Sequence, residues 1–460
     1  MSLTDPNPEA DPLEDLSIFH GVRGTAVKIL TRIERTDAYL DKLLDAEMVN
    51  NDFNPLDKRL LNEIVHGVLR NQAKIDWVLT GFYHGQYSKV MPNVRNALRI
   101  AVYQLLFLTR IPHHAAVNEA VEFVKRDRGQ KLADTVNGLL RNIARNVENI
   151  RYPLASNDEI QYLSVVYSHP TWLVKRWHAR FGFETTESIC KANNVRPFIT
   201  LRHNSLKTRF PDFISALVER NIDFRNCFFL NDFVTIRNLP NLRQLDMFQD
   251  GQFSIQDESA GLVVKLLNPQ PGQTVLDLCA APGGKSLFAA EMMGNQGRVI
   301  SVDKYLTRLG FVMQSAERLG ISIVEPLEAD AIELKMDPVD AVLVDAPCSG
   351  LGTLSKKPDI KWRREMDDIL KLTELQRSIL ENASTLVRPG GVLLYSTCTM
   401  EPEENGQIVK AFLAVHPEFE IDPAGKYLQQ QLVGRDGFME TFPNRHHMDG
   451  AFGARMIRKS

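Results

Sequence analysis

The chain has 460 residues, 44% hydrophobic, 24% charged and 8% aromatic, an ordinary globular composition that excludes collagenous, low-complexity and coiled-coil classes and leaves room for about three domains. No apolar run approaches the ~18 residues of a membrane-spanning helix, the nearest stretch being Tyr103 to Leu108. The net charge of -3 is unevenly divided, with residues 1–17 at -5, 18–150 at +5, 151–245 at +5 and 246–460 at -8; a basic front half and an acidic back half suit a polyanion-binding module joined to a catalytic one, although solvated faces alone produce values this modest.

In chain order, residues 1–17 carry Asp5, Glu9, Asp11, Glu14 and Asp15 with no Lys or Arg. This is the reverse of the basic start of a targeting signal, and it reads as a disordered acidic tail on a cytoplasmic protein. Residues 18–150 read as a helical domain, with apolar residues at helical spacing in Ala26, Ile29, Leu30, Ile33 and in Leu98, Ala101, Val102, Leu105. Pro112 and the pair Asn118-Glu119 mark helix boundaries within it. Residues 151–245 read as a small α/β unit: a helix from Thr171 through Trp177, then strand-like runs at Phe198 to Arg202 and Phe233 to Arg237. From 246 to 460, apolar runs alternate with helical stretches at Thr274 to Leu278, Arg298 to Val302, Ser322 to Leu327, Ala341 to Val344 and Val392 to Tyr395. That alternation predicts a doubly wound, mostly parallel sheet of Rossmann-like α/β type, on which ligands bind beyond the carboxyl ends of the strands.

The residues at those strand ends carry the chemistry. The loop Cys279-Ala280-Ala281-Pro282-Gly283-Gly284-Lys285 follows the first run and opens a helix, whose N-terminus suits a carboxylate or phosphate. Its end resembles a phosphate-binding P-loop, but Cys279 stands where that loop needs glycine, and G-x-G-x-x-G is absent. Asp303 ends the second run at a spacing suited to ribose hydroxyls. Asp330 follows the third, where it can meet an adenine amino group or cap a helix. Together these residues describe a nucleoside-plus-carboxylate ligand, best matched by S-adenosyl-L-methionine.

Asp345-Ala346-Pro347-Cys348 follows the fourth run and Thr397-Cys398 the fifth. The five cysteines, at 190, 227, 279, 348 and 398, are odd in number and widely spaced, so neither a disulfide framework nor a zinc knuckle is expected, and no metal. A thiolate beside a methyl donor suits substitution at C5 of a pyrimidine. Addition of sulfur at C6 raises the electron density at C5, and a carboxyl group at N3 stabilises the adduct. Either Cys398 or Cys348 can add, and Asp345 can serve N3. Cys190 and Cys227 read as structural, and Cys279 as a loop-packing residue.

The motifs Gln256-Asp257-Glu258-Ser259, Asp277 to Lys285, Asp345 to Gly350, Pro358-Asp359-Ile360-Lys361-Trp362, Thr397-Cys398 and Pro402-Glu403-Glu404-Asn405 resemble those of the Sun/Fmu family of RNA cytosine-C5 methyltransferases over about residues 250 to 460. Tyr103 to Leu108, His114 to Val121 and Val136 to Arg141 resemble a NusB-type helical RNA-binding domain. The pairing narrows the resemblance to the bacterial ribosomal small subunit methyltransferase B type. It implies methyl transfer to C5 of one cytosine in 16S rRNA; separately, nothing in the sequence demands more than a monomer. The resemblance also implies a donor held by Cys279 to Lys285, Asp303, Arg308, Asp330 and Asp345, with Cys398 as the C6 nucleophile and Cys348 assisting product release. The chain departs from the family pattern at Lys304-Tyr305, where a second acidic residue is common, and at Ala329, where glycine is common; both bear on donor affinity rather than reaction type.

RNA contacts are expected on the basic front half and on Lys356, Lys357, Lys361, Arg363 and Arg364, with Trp362 either stacking on a base or packing in a core. The target cytosine is expected to be single-stranded or flipped out. Two rival readings exist: a NusB-type RNA-binding assembly factor without activity, against which the intact cysteines, Asp345 and donor loop stand, and the same chemistry on tRNA or another rRNA cytosine.

Overall fold

The computed structural model describes residues 16–36, 38–237 and 245–460, so the expected acidic tail falls almost wholly outside the described residues. The chain divides into two compact units. One takes the chain up to Asn194 together with Lys357–Arg363, and the other is Val195–Lys356 with Arg364–Ser460. The expected boundaries at 150 and 245 are not those of the units. Residues 151–194, with helices Glu159–Val166 and Thr171–Asn194, stay with the first unit, where the Ser168 hydroxyl accepts from Ala73 N at 2.8 Å.

The first unit is built of helices including Gly21–Arg35, Pro55–Arg70, Pro92–Phe107, His113–Arg128 and Gln130–Arg145. The apolar residues singled out by their spacing, Ala26, Ile29, Leu30, Ile33, Leu98, Ala101, Val102 and Leu105, are all buried in its core. Local chemistry sets the helix starts: Asn54 caps Pro55–Arg70 by accepting from Leu56 N and Asp57 N, with proline in the first turn. Pro112 precedes His113–Arg128 directly, so Asn118-Glu119 lies inside that helix and marks no boundary. A close approach explains Gly67, since a Cβ there would stand 2.0 Å from the Tyr103 ring. The buried Arg99 is satisfied by a two-pronged pair with Asp76, both contacts at 2.7 Å.

In the second unit, Ile199–His203 (β1), Phe224–Asn226 (β2), Phe233–Ile236 (β3) and Phe253–Ile255 (β4) form an antiparallel sheet in the order β2-β3-β1-β4. Helix Phe210–Glu219 packs Phe213 and Leu217 into the same core as Leu201, Val234, Met247 and Phe253. Because Met247 and β4 belong to this core, the expected boundary at 246 cuts through it.

The larger sheet holds Thr274–Asp277 (β5), Arg298–Asp303 (β6), Val324–Glu328 (β7), Val339–Asp345 (β8), Val387–Thr397 (β9), Phe419–Ile421 (β10), Met439–Glu440 (β11) and Phe452–Arg458 (β12). Its order is β10-β12-β9-β8-β5-β6-β7, with β11 paired to β12. β5 through β9 pair in parallel, as the alternation of strands and helices predicts. The antiparallel edge of β10, β11 and β12 was not legible in that pattern. Strand order reverses between β5 and β8, the position where such sheets open a ligand crevice. Among the described residues no helix is long and apolar enough to cross a membrane.

Candidate active site

Asp277, Asp303 and Asp345 close parallel strands, and Cys279, Asp330, Cys348 and Cys398 lie one to three residues beyond the carboxyl end of one. Asp277 closes β5 at 1% exposure. Its carboxylate accepts from the Ser286 hydroxyl at 2.6 Å, which ties the strand end to the first turn of helix Gly284–Met292. Burial in this position, only partly offset by the Ser286 bond, pushes the Asp277 carboxyl up to about 7.

The loop between them is held at both flanks. Ala280 N donates to Val302 O at 2.8 Å, and Arg308 Nη2 donates to Ala281 O at 2.9 Å. Gly283 has φ of +106°, a left-handed conformation that disfavours any side chain. The helix it introduces has no side-chain cap, leaving its first N–H groups for another acceptor. Arg308 also pairs with Asp303, Nη1 to Oδ2 at 2.9 Å, so one guanidinium bridges the loop and the end of β6. Asp303 is itself 5% exposed and accepts from Tyr305 N.

Asp330 caps its own turn by accepting from Ile332 N at 3.0 Å and pairs with Lys304 at 2.9 Å. These contacts, the backbone one first, hold its carboxyl below the usual range. The turn-capping reading of Asp330 is therefore seen directly, and Lys304 places a cation on its other carboxylate oxygen. An uncapped helix N-terminus, a small-residue loop and carboxylates at the ends of β6 and β7 fit the carboxylate, ribose and base of S-adenosylmethionine.

On the acceptor side, Asp345 ends β8, accepting from Lys285 Nζ at 2.6 Å and from the Ser396 hydroxyl at 2.9 Å. Burial alone would lower the Lys285 ammonium, but Asp345, aided by Cys398 and Asp277, holds it above the ordinary lysine value. The structure brings together the two cysteines singled out in the sequence: Cys348 Sγ lies 3.2 Å from Cys398 Sγ and 3.3 Å from Cys398 N. Cys398 is exposed and Cys348 half-buried. The hydrogen bond to Cys398, then burial, then the neighbouring sulfur's charge push the Cys348 thiol well up.

The other three cysteines stand apart from this chemistry. Burial pushes Cys190 up to about 12 and raises Cys279 and Cys227 as well, so none is poised as a thiolate.

Four of the five cations expected to meet RNA have partners within the chain. Lys356 Nζ pairs with Asp257 and, at 2.9 Å, with Asp449, tying the motif Gln256 to Ser259 to the chain beyond Cys348. Lys361 is 1% exposed and donates to Arg70 O at 3.0 Å. Arg363 donates to Ala38 O at 3.0 Å. Trp362 packs against the helical core and donates to Leu69 O at 2.6 Å, which selects its core reading over stacking on a base. Lys357 remains exposed, and the half-buried Arg364 donates to Ser349 O at 3.2 Å. A run of positive charge in sequence did not reveal that most of it is spent on carbonyls and carboxylates of the chain itself.

Sequence reasoning assigned no role to Ser286, Gln376, Ser396, Glu404 or Asn405; the only signal for the last two was their place in the motif Pro402 to Asn405.

A parallel sheet with a donor loop at its reversal point and a paired-sulfur acceptor side defines the class: this is a Rossmann-like S-adenosylmethionine-dependent methyltransferase. Three family descriptions match it, "16S rRNA methyltransferase RsmB/F" over residues 264–457, "NusB family" over 20–145 and the ferredoxin-like domain of the RsmF/B-like methyltransferases over 169–242. The Bacillus subtilis (strain 168) protein named "Probable ribosomal RNA small subunit methyltransferase B" is 37% identical over 445 residues, 95% of this chain and 99% of its own. The Shewanella oneidensis ribosomal RNA small subunit methyltransferase B is 34% identical over 406 residues, 87% of this chain and 91% of its own. Among solved structures, PH0851 superposes with a TM-score of 0.80 at 30% identity, covering 95% of this chain and 99% of its own. The chain belongs to the ribosomal RNA small subunit methyltransferase B/F family, with a NusB-like helical domain, a ferredoxin-like domain and a C-terminal methyltransferase domain.

Proposed function

We propose that this protein methylates C5 of a single cytosine in 16S rRNA through a covalent bond between Cys398 and C6, acting as a monomer. The observation that carries this reading is the 3.2 Å approach of two sulfurs, one exposed, beside the Lys285–Asp345 pair. S-adenosylmethionine, when bound, supplies an electrophilic methyl group. The protein's part is to make C5 nucleophilic. The Cys398 thiolate forms a bond to C6, and the C5–C6 π electrons move to C5, with Asp345 and its Lys285 partner positioned to stabilise the ring at N3.

After C5 has accepted the methyl group, its proton must leave and the sulfur–C6 bond must break to restore the double bond. Cys348 suits that second stage for an electrostatic reason. The foremost causes that raise it are its hydrogen bond to Cys398 and its burial, with the charge of Cys398 next. Bonding of Cys398 to carbon consumes that charge, so Cys348 becomes easier to ionise at the point when a base for the C5 proton is needed. As the thiol it then returns to its starting partnership once Cys398 is released.

The test uses labelled donor with bare 16S rRNA, 30S subunits or tRNA, followed by a denaturing gel. Cys398→Ala is expected to abolish methylation without any covalent species. Cys348→Ala is expected to accumulate enzyme bound to methylated RNA. Trapping by Cys398→Ala alone would exchange the two roles, and methylation intact in both variants would reject the adduct. Label entering tRNA and neither ribosomal substrate would move the substrate class.

A further inference from the structure

Glu404 and Asn405 are consecutive, yet each holds a different cysteine-bearing loop. Glu404 is fully buried at 0% exposure. Its Oε1 accepts from Ser349 N at 2.8 Å and from Gln376 Nε2 at 3.0 Å, and its Oε2 from the Ser349 hydroxyl at 2.5 Å. Gln376 Nε2 also donates to Pro347 O at 2.9 Å, so the residues on both sides of Cys348 are held by one network. Asn405 does the same for Cys398. Its Oδ1 accepts from the Thr397 hydroxyl at 2.5 Å, and its Nδ2 donates to Thr399 O at 2.9 Å.

Two further bonds lock the halves together. The Ser349 and Thr399 hydroxyls are 2.9 Å apart, and the buried Tyr395 hydroxyl donates to Glu404 O at 2.7 Å, fixing the dipeptide against β9. Each loop is therefore restrained on both flanks of its sulfur by side chains that bond the neighbouring residues rather than the sulfur. Bonds to a buried carboxylate are the stronger kind, and removing one partner leaves the others unsatisfied.

We propose that Glu404 and Asn405 form a clip that sets the separation of the Cys348 and Cys398 sulfurs, making them positioning residues for a reaction that uses both thiols in turn. Its catalytic importance rests on the adduct reading above, whereas its geometric content does not. The direct readout is therefore closure of a disulfide between the two cysteines in the full-length protein, without RNA or donor. Diamide is the oxidant: the two thiols lose two hydrogens to it, it is reduced to the hydrazine, and the new bond is located by peptide mapping.

Asn405→Asp keeps the volume of the side chain but puts an acceptor against Thr399 O. It is expected to slow closure by about tenfold, the effect of one hydrogen bond, and to lower kcat while leaving donor affinity unchanged by calorimetry. Glu404→Gln retains an acceptor for Ser349 N and is expected to keep closure near the wild-type rate, whereas Glu404→Ala slows it. Thr397→Val removes the Asn405 strap from its other end and serves if Asn405→Asp does not fold. Closure at the wild-type rate in Asn405→Asp, Thr397→Val and Glu404→Ala would overturn the clip. Slowed closure with methylation undiminished would uphold the clip and overturn the two-thiol reaction.

Discussion

Lys285 at the catalytic edge is half-buried and Lys361 in the helical unit fully buried, and the two regions treat the enclosed amine in opposite ways. Lys285 meets the Asp345 carboxylate at 2.6 Å and is held above the ordinary lysine value, although burial opposes it. Lys361 donates to Arg70 O and faces Asn194 Oδ1 at 3.4 Å, neither of them a charge. Burial there, aided by Arg70, pushes it down to about 7. Burial alone thus does not decide the charge state; a carboxylate within reach does, because its attraction offsets lost hydration where a carbonyl dipole cannot. The catalytic edge keeps a fixed positive charge, and the helical unit uses a lysine chiefly as a long hydrogen-bond donor.

The comparison is most open to attack at Lys361. An unfolded lysine titrates near ~10.4, and this one titrates at about 7 when folded. Between those values the unfolded chain binds more protons, so stability from this group rises with pH across the window and is lowest at and below its lower end. The loss on descending through the window is on the order of 4 kcal/mol. Lys361→Met lacks it, so urea unfolding is expected to show the variant gaining on wild type as pH falls towards the folded pKa, with the difference shrinking as pH rises. A difference independent of pH would mean that Lys361 is charged in place.

Lys285→Met carries the opposite expectation. It leaves Asp345 without its cation beside the acceptor base, and kcat is expected to fall by about 10²–10³, the range for removing one electrostatic stabiliser. Single-turnover methylation measures this at saturating donor. A variant as active as wild type would reduce the pair to a structural one.

On the donor side smaller effects follow, although Asp303 is itself enclosed. Asp303→Ala removes the carboxylate at the end of β6 and is expected to weaken S-adenosylmethionine binding by about 1.5–3 kcal/mol, read by calorimetry. The smallest effect belongs to Lys304, whose ammonium is exposed on Asp330. Lys304→Ala is expected to tighten donor binding slightly by freeing the carboxylate, without moving the melting temperature. Weaker binding would instead make Lys304 a donor contact in its own right.

The legible part of this protein is what adjacent residues decide. Strand ends can be read from the alternation of apolar runs, so Asp277, Asp303, Asp345 and Cys398 were placed at the carboxyl edge from sequence, with Asp330 just beyond it, and the helical periodicity placed Ala26 to Ile33 in a core. The same reasoning failed on Lys356, Lys361 and Arg363. A local charge run is compatible with solvent, RNA or an interior partner, and only the distant chain supplies Asp257, Arg70 and Ala38.

The sequence by itself determined the chemistry on offer: a donor loop, carboxylates after strands and two candidate sulfurs, each a property of a few consecutive residues and the strand before them. Tertiary structure alone decided that sulfurs 50 residues apart approach to 3.2 Å, which of them is exposed, and that Glu404 and Asn405 reach back to both. It also decided that one lysine is held above the ordinary value and another is pushed down to about 7. Those outcomes depend on which groups exclude water and which supply a compensating dipole or charge, and such neighbours are brought by the packing of segments remote in the chain.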